Sequence, residues 1–143
     1  MDYTGTDLKG ALDNCEKALF YLHTALEDLN RAYGWGVADI LGGALFISLA
    51  KRKKMQNADQ NLTLAKNNIN RLLRGLHSKT TIDSVDFLPG GFLSTTDFLF
   101  DNFVSDMMVQ EKIRNARASV NETIEKLEKI REHLMARLYT NNY

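Results

Sequence analysis

The residues of this chain that could take part in catalysis or bind a metal are few and widely separated. One cysteine and three histidines occur among its 143 residues. Carboxylate-bridged metal sites in helical bundles need Glu-x-x-His motifs, but the residues three before the histidines are Phe20, Arg74 and Ile130. The sequence also contains no zinc motif and no calcium-binding loop. We therefore predict a protein without metal, cofactor or catalytic residues, and not an enzyme.

Cys15 is the only candidate thiol nucleophile. It falls in a regularly spaced row of leucines, and such a position is typical of an inert core thiol. A single cysteine excludes a disulfide within the chain. The N-terminal stretch is acidic and polar, whereas a secretory signal is basic and then apolar. Both observations predict a cytoplasmic protein.

The basic cluster, Lys51, Arg52, Lys53 and Lys54, is the most concentrated charge in the sequence. Residues 51–79 carry 8 − 1 = +7 charges, whereas residues 1–33 carry 3 − 6 = −3 and residues 80–108 carry −5. Two interpretations remain open: the acidic segments neutralise the basic stretch within the protein, or the cluster meets an anionic membrane surface. A nucleic-acid partner is not expected, because no aromatic residues alternate with these cations.

Three amphipathic tracts supply the elements that would position these residues. In the first two, apolar residues alternate at spacings of four and three; they are Leu8, Leu12, Cys15, Leu19, Leu22, Leu26, Leu29 and Tyr33, then Met55, Ala58, Leu62, Ala65, Ile69, Leu72 and Leu76. In the third, Ile113, Val120, Leu127 and Leu134 lie seven apart beside a second apolar row. A 3.5-residue period predicts long helices that pack side by side at shallow angles.

We therefore predict an all-α fold, an elongated antiparallel three-helix coiled-coil bundle that forms one domain over residues 1–143. The expected elements are helix 1 at about 6–33, helix 2 at about 38–77, an aromatic-rich crossover at about 78–96 and helix 3 at about 97–139. Phe87 and Phe92 in the crossover either cover the bundle or form an exposed patch for a partner.

A corner rich in small residues separates the first two helices. Gly34 is expected to end helix 1, because glycine readily adopts the left-handed conformation that follows many helices. The uncharged residues 40–50 are too few to cross a bilayer, which takes about 20 residues. We expect close packing of two backbones here, with room for a small apolar ligand as the alternative. The candidate residues are Gly34, Trp35, Ala38, Gly42 and Gly43.

The same corner resembles a pattern of small uncharacterised helical proteins of Gram-positive bacteria, W-G-x-x-D-x-L-G-G followed by a lysine-bearing helix. The pattern appears here as Trp35, Gly36, Asp39, Leu41, Gly42, Gly43 and Lys51. Residues 109–113, Val-Gln-Glu-Lys-Ile, carry a second resemblance before the last helix. The resemblance implies a bacterial, cytoplasmic, coiled-coil-like protein, and no activity comes with it.

These features predict a non-enzymatic protein-protein interaction or scaffold module that associates with a protein partner or with itself as a homo-oligomer. Two other functions stay open. Helix 2 is a candidate for binding an anionic membrane surface through the basic cluster, and the glycine-rich corner is a candidate for binding a small apolar ligand. The candidate interaction surface comprises Lys51, Arg52, Lys53, Lys54, Phe87 and Phe92.

Overall fold

The structure of the protein is a computed structural model that describes the backbone of residues 5–42, 45–79 and 110–141, and the side chains of residues 8–34, 52–75 and 113–140. All described residues are helical. The helices are α1 (Gly5–Gly42), α2 (Leu45–Lys79) and α3 (Gln110–Asn141). The prediction of an all-helical fold with packed helices is confirmed for these ranges, which contain no strand. The predicted crossover, including Phe87 and Phe92, lies outside them.

α1 is the central helix of the described structure. Its 38 residues span about 57 Å at 1.5 Å per residue. It packs along both α2 and α3, and its contact with α2 is the more extensive one. Because only residues 43 and 44 separate α1 from α2 in sequence, two helices of this length can share a face only by running antiparallel.

α3 also runs antiparallel to α1. Near the end of α1 the Arg117 guanidinium lies 4.5 Å from the centre of the Tyr33 ring, whereas earlier in α1 the Sγ of Cys15 lies 3.4 Å from the carbonyl oxygen of Leu127. α2 and α3 therefore run in the same direction. Both pairs that include α1 are antiparallel, and one parallel pair is unavoidable among three helices.

Apart from Asn68 and Ile124, the buried residues of α2 and α3 follow a heptad pattern, at alternating spacings of three and four. They are Met55, Ala58, Leu62, Ala65, Ile69 and Leu72 on α2, and Ile113, Ala116, Val120, Thr123, Leu127, Ile130 and Leu134 on α3. Together with the buried face of α1, their apolar members form one continuous core. Burying a side chain of the size of leucine contributes about 1.5–3 kcal/mol, so these rows hold the helices together.

On α1 the buried face includes a row of alanines that the heptad analysis of the sequence did not include. Four predicted core residues are fully buried: Leu8, Cys15, Leu22 and Leu29. Beside them lie four buried alanines, seven residues apart: Ala11, Ala18, Ala25 and Ala32. Of the other predicted row, Leu19 is buried, whereas Leu12, Leu26 and Tyr33 are only partly buried at the edge of the core. The centre of the buried face is therefore displaced toward the alanines.

The two sides of α1 receive different helices. Asp28 contacts α2 through Lys54 and Asn61, and residues three and four apart share one side of a helix. Ala25 and Ala32 therefore lie on the α2 side, where small side chains let the two backbones approach closely. The side of Tyr33 receives α3. The more extensive α1–α2 contact is consistent with the smaller side chains on that side.

The predicted boundary between the first two helices is wrong. α1 does not end at Gly34 but continues to Gly42, and α2 begins at Leu45 instead of near residue 38. Glycine inside a helix costs up to about 1 kcal/mol relative to alanine. Burial of Leu29 and Ala32 just before it offsets that cost, since packing supplies most helical stability in proteins.

We expect Ala25→Leu to lower the free energy of unfolding by about 1–3 kcal/mol, because the added methyl groups overpack the close α1–α2 contact. Ala118→Leu makes the same change at an exposed position of α3 and should have little effect. Urea unfolding followed by circular dichroism measures both. Equal effects of the two substitutions would contradict the close approach of α1 and α2.

Candidate functional site

The basic cluster does not form one surface in the structure. Successive helical residues point about 100° apart, so four in a row are spread around most of the helix. Arg52 and Lys53 are exposed, whereas Lys54 turns toward α1, where its Nζ lies 4.0 Å from Asp28 Oδ1. The side chain of Lys51 lies outside the described residues. The cluster is therefore divided between solvent and the helix interface.

The glycine-rich corner is described only in part. Gly34 is exposed, and apart from the neighbouring backbone of α1 no described atom lies within 4 Å of the position that a Cβ would take there. Nothing at this glycine therefore indicates close packing. Trp35, Ala38 and Gly42 belong to the helical backbone of α1, but their surroundings, and all of Gly43, lie outside the described residues. Close packing or ligand binding at these four positions stays a prediction.

A polar cluster links α1 to α2 around Asp28, which is 8% exposed. Lys54 Nζ lies 4.0 Å from one carboxylate oxygen. Asn61 Nδ2 donates a hydrogen bond to the other carboxylate oxygen, at a distance of 3.5 Å. Burial raises the pKa of Asp28 above its ordinary value of 3.8, because desolvation disfavours the charged form, and Lys54 opposes this effect. The long distances to both partners explain why the compensation is incomplete.

Cys15 is a buried core thiol, as predicted. Its Sγ donates a weak hydrogen bond to the carbonyl oxygen of Leu127 at 3.4 Å. Burial raises the pKa of this thiol to about 12, and the nearby carboxylate of Glu128 acts in the same direction. Very little reactive thiolate therefore exists near neutral pH, and Cys15 is unsuited to nucleophilic catalysis.

The structure brings no set of metal-ligating side chains together within the ranges it describes. His23 lies on α1 and His133 on α3, and both are exposed. The side chain of His77 is outside those ranges. Neither of these two histidines therefore lies in the core.

Three cations on α1 and α3, the exposed Lys17 and Arg31 and the half-buried Lys126, pair with carboxylates one helical turn before them. In each pair the acid lies four residues toward the N-terminus, which is the more stabilising order. The pairs are Asp13 with Lys17, Glu27 with Arg31 and Glu122 with Lys126, at N–O distances of 3.0, 2.6 and 3.0 Å. The charges of these lysines and arginines are thus compensated on their own helix.

α2 departs from this pattern. Arg71 and Arg74 are exposed, and the residues four before them are Asn67 and Asn70. Neither arginine forms an ion pair in the part of the chain that the structure describes. We call these four residues the amide-arginine face. These two neighbouring positive charges therefore lack the carboxylate that Lys17, Arg31 and Lys126 have one turn before them, as do the exposed Lys9 and Arg114.

The amide-arginine face borders an open groove of about 750 Å³. The described lining consists of the four residues of that face and the half-buried Leu73. This polar, open groove differs from small-molecule pockets, which are mostly apolar and concave enough to enclose the ligand. Clusters of charge in the sequence do not reveal this groove, because its signal is the residue four before each arginine. The spacing Asn-x-x-x-Arg, which occurs twice, was the available signal.

Asn68 is a second polar feature of the same part of α2. It is 5% exposed, and its Nδ2 donates to the carbonyl oxygen of Leu64 at 3.0 Å. Its Oδ1 is buried without a hydrogen-bond partner, which costs about 1–3 kcal/mol. Nothing in the described ranges accounts for this unpaired acceptor.

Comparisons with models of protein families, with curated proteins and with solved structures find no match to this chain. The resemblance to small helical proteins of Gram-positive bacteria therefore stays a prediction. Any function has to be argued from the residues of the chain itself.

Cys15 is expected to react with Ellman's reagent at pH 8 at least about a hundredfold more slowly in the native chain than in the urea-unfolded chain. The reasons are its burial and its raised pKa, since only an accessible thiolate attacks the reagent. The absorbance of the released thiol product measures both rates. Similar rates in the two states would contradict a closed core at this position.

Replacing Asp28 by asparagine is expected to remove a pH-dependent loss of stability. Because its folded pKa is raised, Asp28 favours folding below the unfolded value of 3.8, and this contribution is lost as pH rises through the folded pKa. The difference in unfolding free energy between Asp28→Asn and the unmodified chain should therefore shift in favour of the variant as pH increases across that window. Asp13→Asn, in the exposed pair with Lys17, is the control. A variant that loses stability relative to the unmodified chain over the same interval would contradict the raised pKa.

Proposed function

We propose that the protein is a non-enzymatic helical scaffold of the cytoplasm that binds a protein partner or a second copy of itself. The observation that carries this proposal is the contrast between the two faces of α2. Its inner face packs on α1 through a continuous apolar row, while its outer face carries the exposed Arg71 and Arg74, which form no ion pair within the described ranges. A surface with uncompensated charge on a well-packed helix is suited to recognising a partner.

Coiled-coil packing is part of this proposal. The alternating spacings of three and four among the buried residues support it on α2 and α3, and the leucine and alanine rows support it on α1. A rod of packed helices presents its outer faces at fixed positions along a length of about 57 Å. Such a rigid arrangement is useful for holding partners at defined separations.

The interior of the described bundle supports a non-catalytic role. The buried polar residues there are Asp28, Asn68 and Thr123. Thr123 bonds to the carbonyl oxygen of Ser119 within its own helix at 2.9 Å, and Asp28 serves the α1–α2 interface. With Cys15 buried as well, the polar groups positioned to meet other molecules lie on the outer faces.

Binding to an anionic membrane surface is the second candidate function, and the exposed Arg52 and Lys53 favour it. None of the described helices is long and apolar enough to cross a bilayer, so such binding would be peripheral. Lys54 contributes little, because it lies 27% exposed against Asp28. Two outward cations give only a weak attraction, at about 1 kcal/mol for each near an anionic surface.

A concentration series of the full chain tests the self-association part of the proposal. Native mass spectrometry and sedimentation velocity are expected to show a species of twice the 16.2 kDa chain mass that dissociates on dilution. A single monomeric species over about a hundredfold range of concentration would contradict self-association. It would leave binding to a different protein as the function to test.

Vesicle sedimentation separates the two candidate functions. The scaffold proposal predicts no difference between anionic and neutral vesicles. Binding to anionic vesicles alone, abolished by Arg52→Glu with Lys53→Glu, would establish the membrane candidate instead. Lys54 is left unchanged in this variant, because a glutamate facing Asp28 would destabilise the α1–α2 contact.

A further inference from the structure

The two arginines of the amide-arginine face have no carboxylate one turn before them on their own helix. On α1 and α3, Lys17, Arg31 and Lys126 each have an acid four residues before them. On α2 the corresponding positions before Arg71 and Arg74 are asparagines. Asparagine is a poorer helix former than glutamate and offers no charge to a neighbouring arginine. Asn67 and Asn70 therefore stabilise the helix less than glutamates at the same positions would.

The four residues lie on one continuous stripe of the helix surface. Positions 67, 70, 71 and 74 follow the spacing i, i+3, i+4 and i+7, which places them on the same face of α2. Arg71 and Arg74 are separated by about 4.5 Å along the helix axis, from three residues at 1.5 Å each. Each guanidinium can hold one carboxylate through two parallel hydrogen bonds. Two carboxylates carried by nearby residues of one chain would match this spacing.

We propose that this face binds an acidic segment of a protein partner, whose carboxylates pair with Arg71 and Arg74 while Asn67 and Asn70 hydrogen-bond its polar groups. The inference rests on the proposed scaffold function and names the surface and the chemistry of its partner. Charge complementarity is the main attraction, since neither arginine has an ion pair within the described ranges. The amides add donors and acceptors of the kind that a peptide backbone also presents.

The shape and composition of the site favour a polypeptide over other anions. A chain of amino acids can lie in the open groove of about 750 Å³, whereas a flat membrane surface meets only the protruding parts of a protein. Nucleic-acid strands are held by stacking on aromatic side chains, and the described lining contains none. Leu73 provides apolar contact for the aliphatic part of a glutamate side chain.

Fluorescence anisotropy with a labelled decaglutamate peptide tests the proposal on the full chain. We expect saturable binding that weakens with added salt, and no binding of a decaglutamine peptide. Arg71→Gln with Arg74→Gln is expected to weaken binding by at least about tenfold. Arg52→Gln with Lys53→Gln removes two exposed cations elsewhere on α2 and is expected to change binding much less.

A second variant supplies the missing acids within the chain. Asn67→Glu with Asn70→Glu places a carboxylate four residues before each arginine, as on α1 and α3, and should preserve or raise the unfolding midpoint. It is nevertheless expected to abolish peptide binding, because the arginines then have internal partners. Loss of binding in a variant that is at least as stable as the original cannot be attributed to unfolding.

Three results would overturn the inference. The first is no decaglutamate binding at low salt, and the second is unchanged binding by either double variant of the amide-arginine face. The third is tighter binding of a ten-residue oligothymidylate or of anionic vesicles than of the peptide, since the partner would then not be a polypeptide. If Arg52→Gln with Lys53→Gln abolishes peptide binding instead, this site fails while the proposed interaction through α2 survives.

Discussion

The structure depends on the burial of α1 on two sides at once. An isolated helix is marginally stable in water, and its apolar face has to be covered by partners. The fully buried row of Leu8, Cys15, Leu22 and Leu29 lies at the centre of that face. Alanines flank it on the α2 side and larger residues such as Tyr33 on the α3 side. The side-chain sizes of one helix thus set how closely each neighbour approaches.

Polar contacts between the helices define a unique register, which the apolar rows alone do not. A heptad pattern repeats every seven residues, so a displacement of one heptad would still match apolar rows. Asp28 meets Lys54 and Asn61 across the α1–α2 contact. Between α1 and α3, Arg117 Nε donates to Asn30 Oδ1 at 2.7 Å. These partners occur at one alignment only, so a displaced pairing would leave the largely buried Asp28 without compensation.

The outer face of α2 follows from this use of its inner face. Once one side of the helix is committed to the core, the remaining side chains are free to vary without loss of packing, and there the chain carries amides and arginines. The basic character of α2 is evident from the sequence, but there the basic cluster is the more prominent candidate surface. Neighbours in sequence point in different directions on a helix, whereas Asn67, Arg71 and Arg74 share a face. The candidate site therefore depends on the helical positions of charged residues more than on their number.

The amino-acid sequence by itself determined that the three tracts are helical, that most residues of their apolar rows are buried and that Cys15 lies in the core, because periodicity and propensity act within a single helix. It did not determine which side of α1 faces which partner. It also did not show that Lys54 turns inward to Asp28 or that Gly34 stays helical. Those outcomes depend on residues far apart in sequence, since packing against a neighbour outweighs a local preference of about 1 kcal/mol. Only the tertiary structure decides them, because the energies involved arise between helices and not within them.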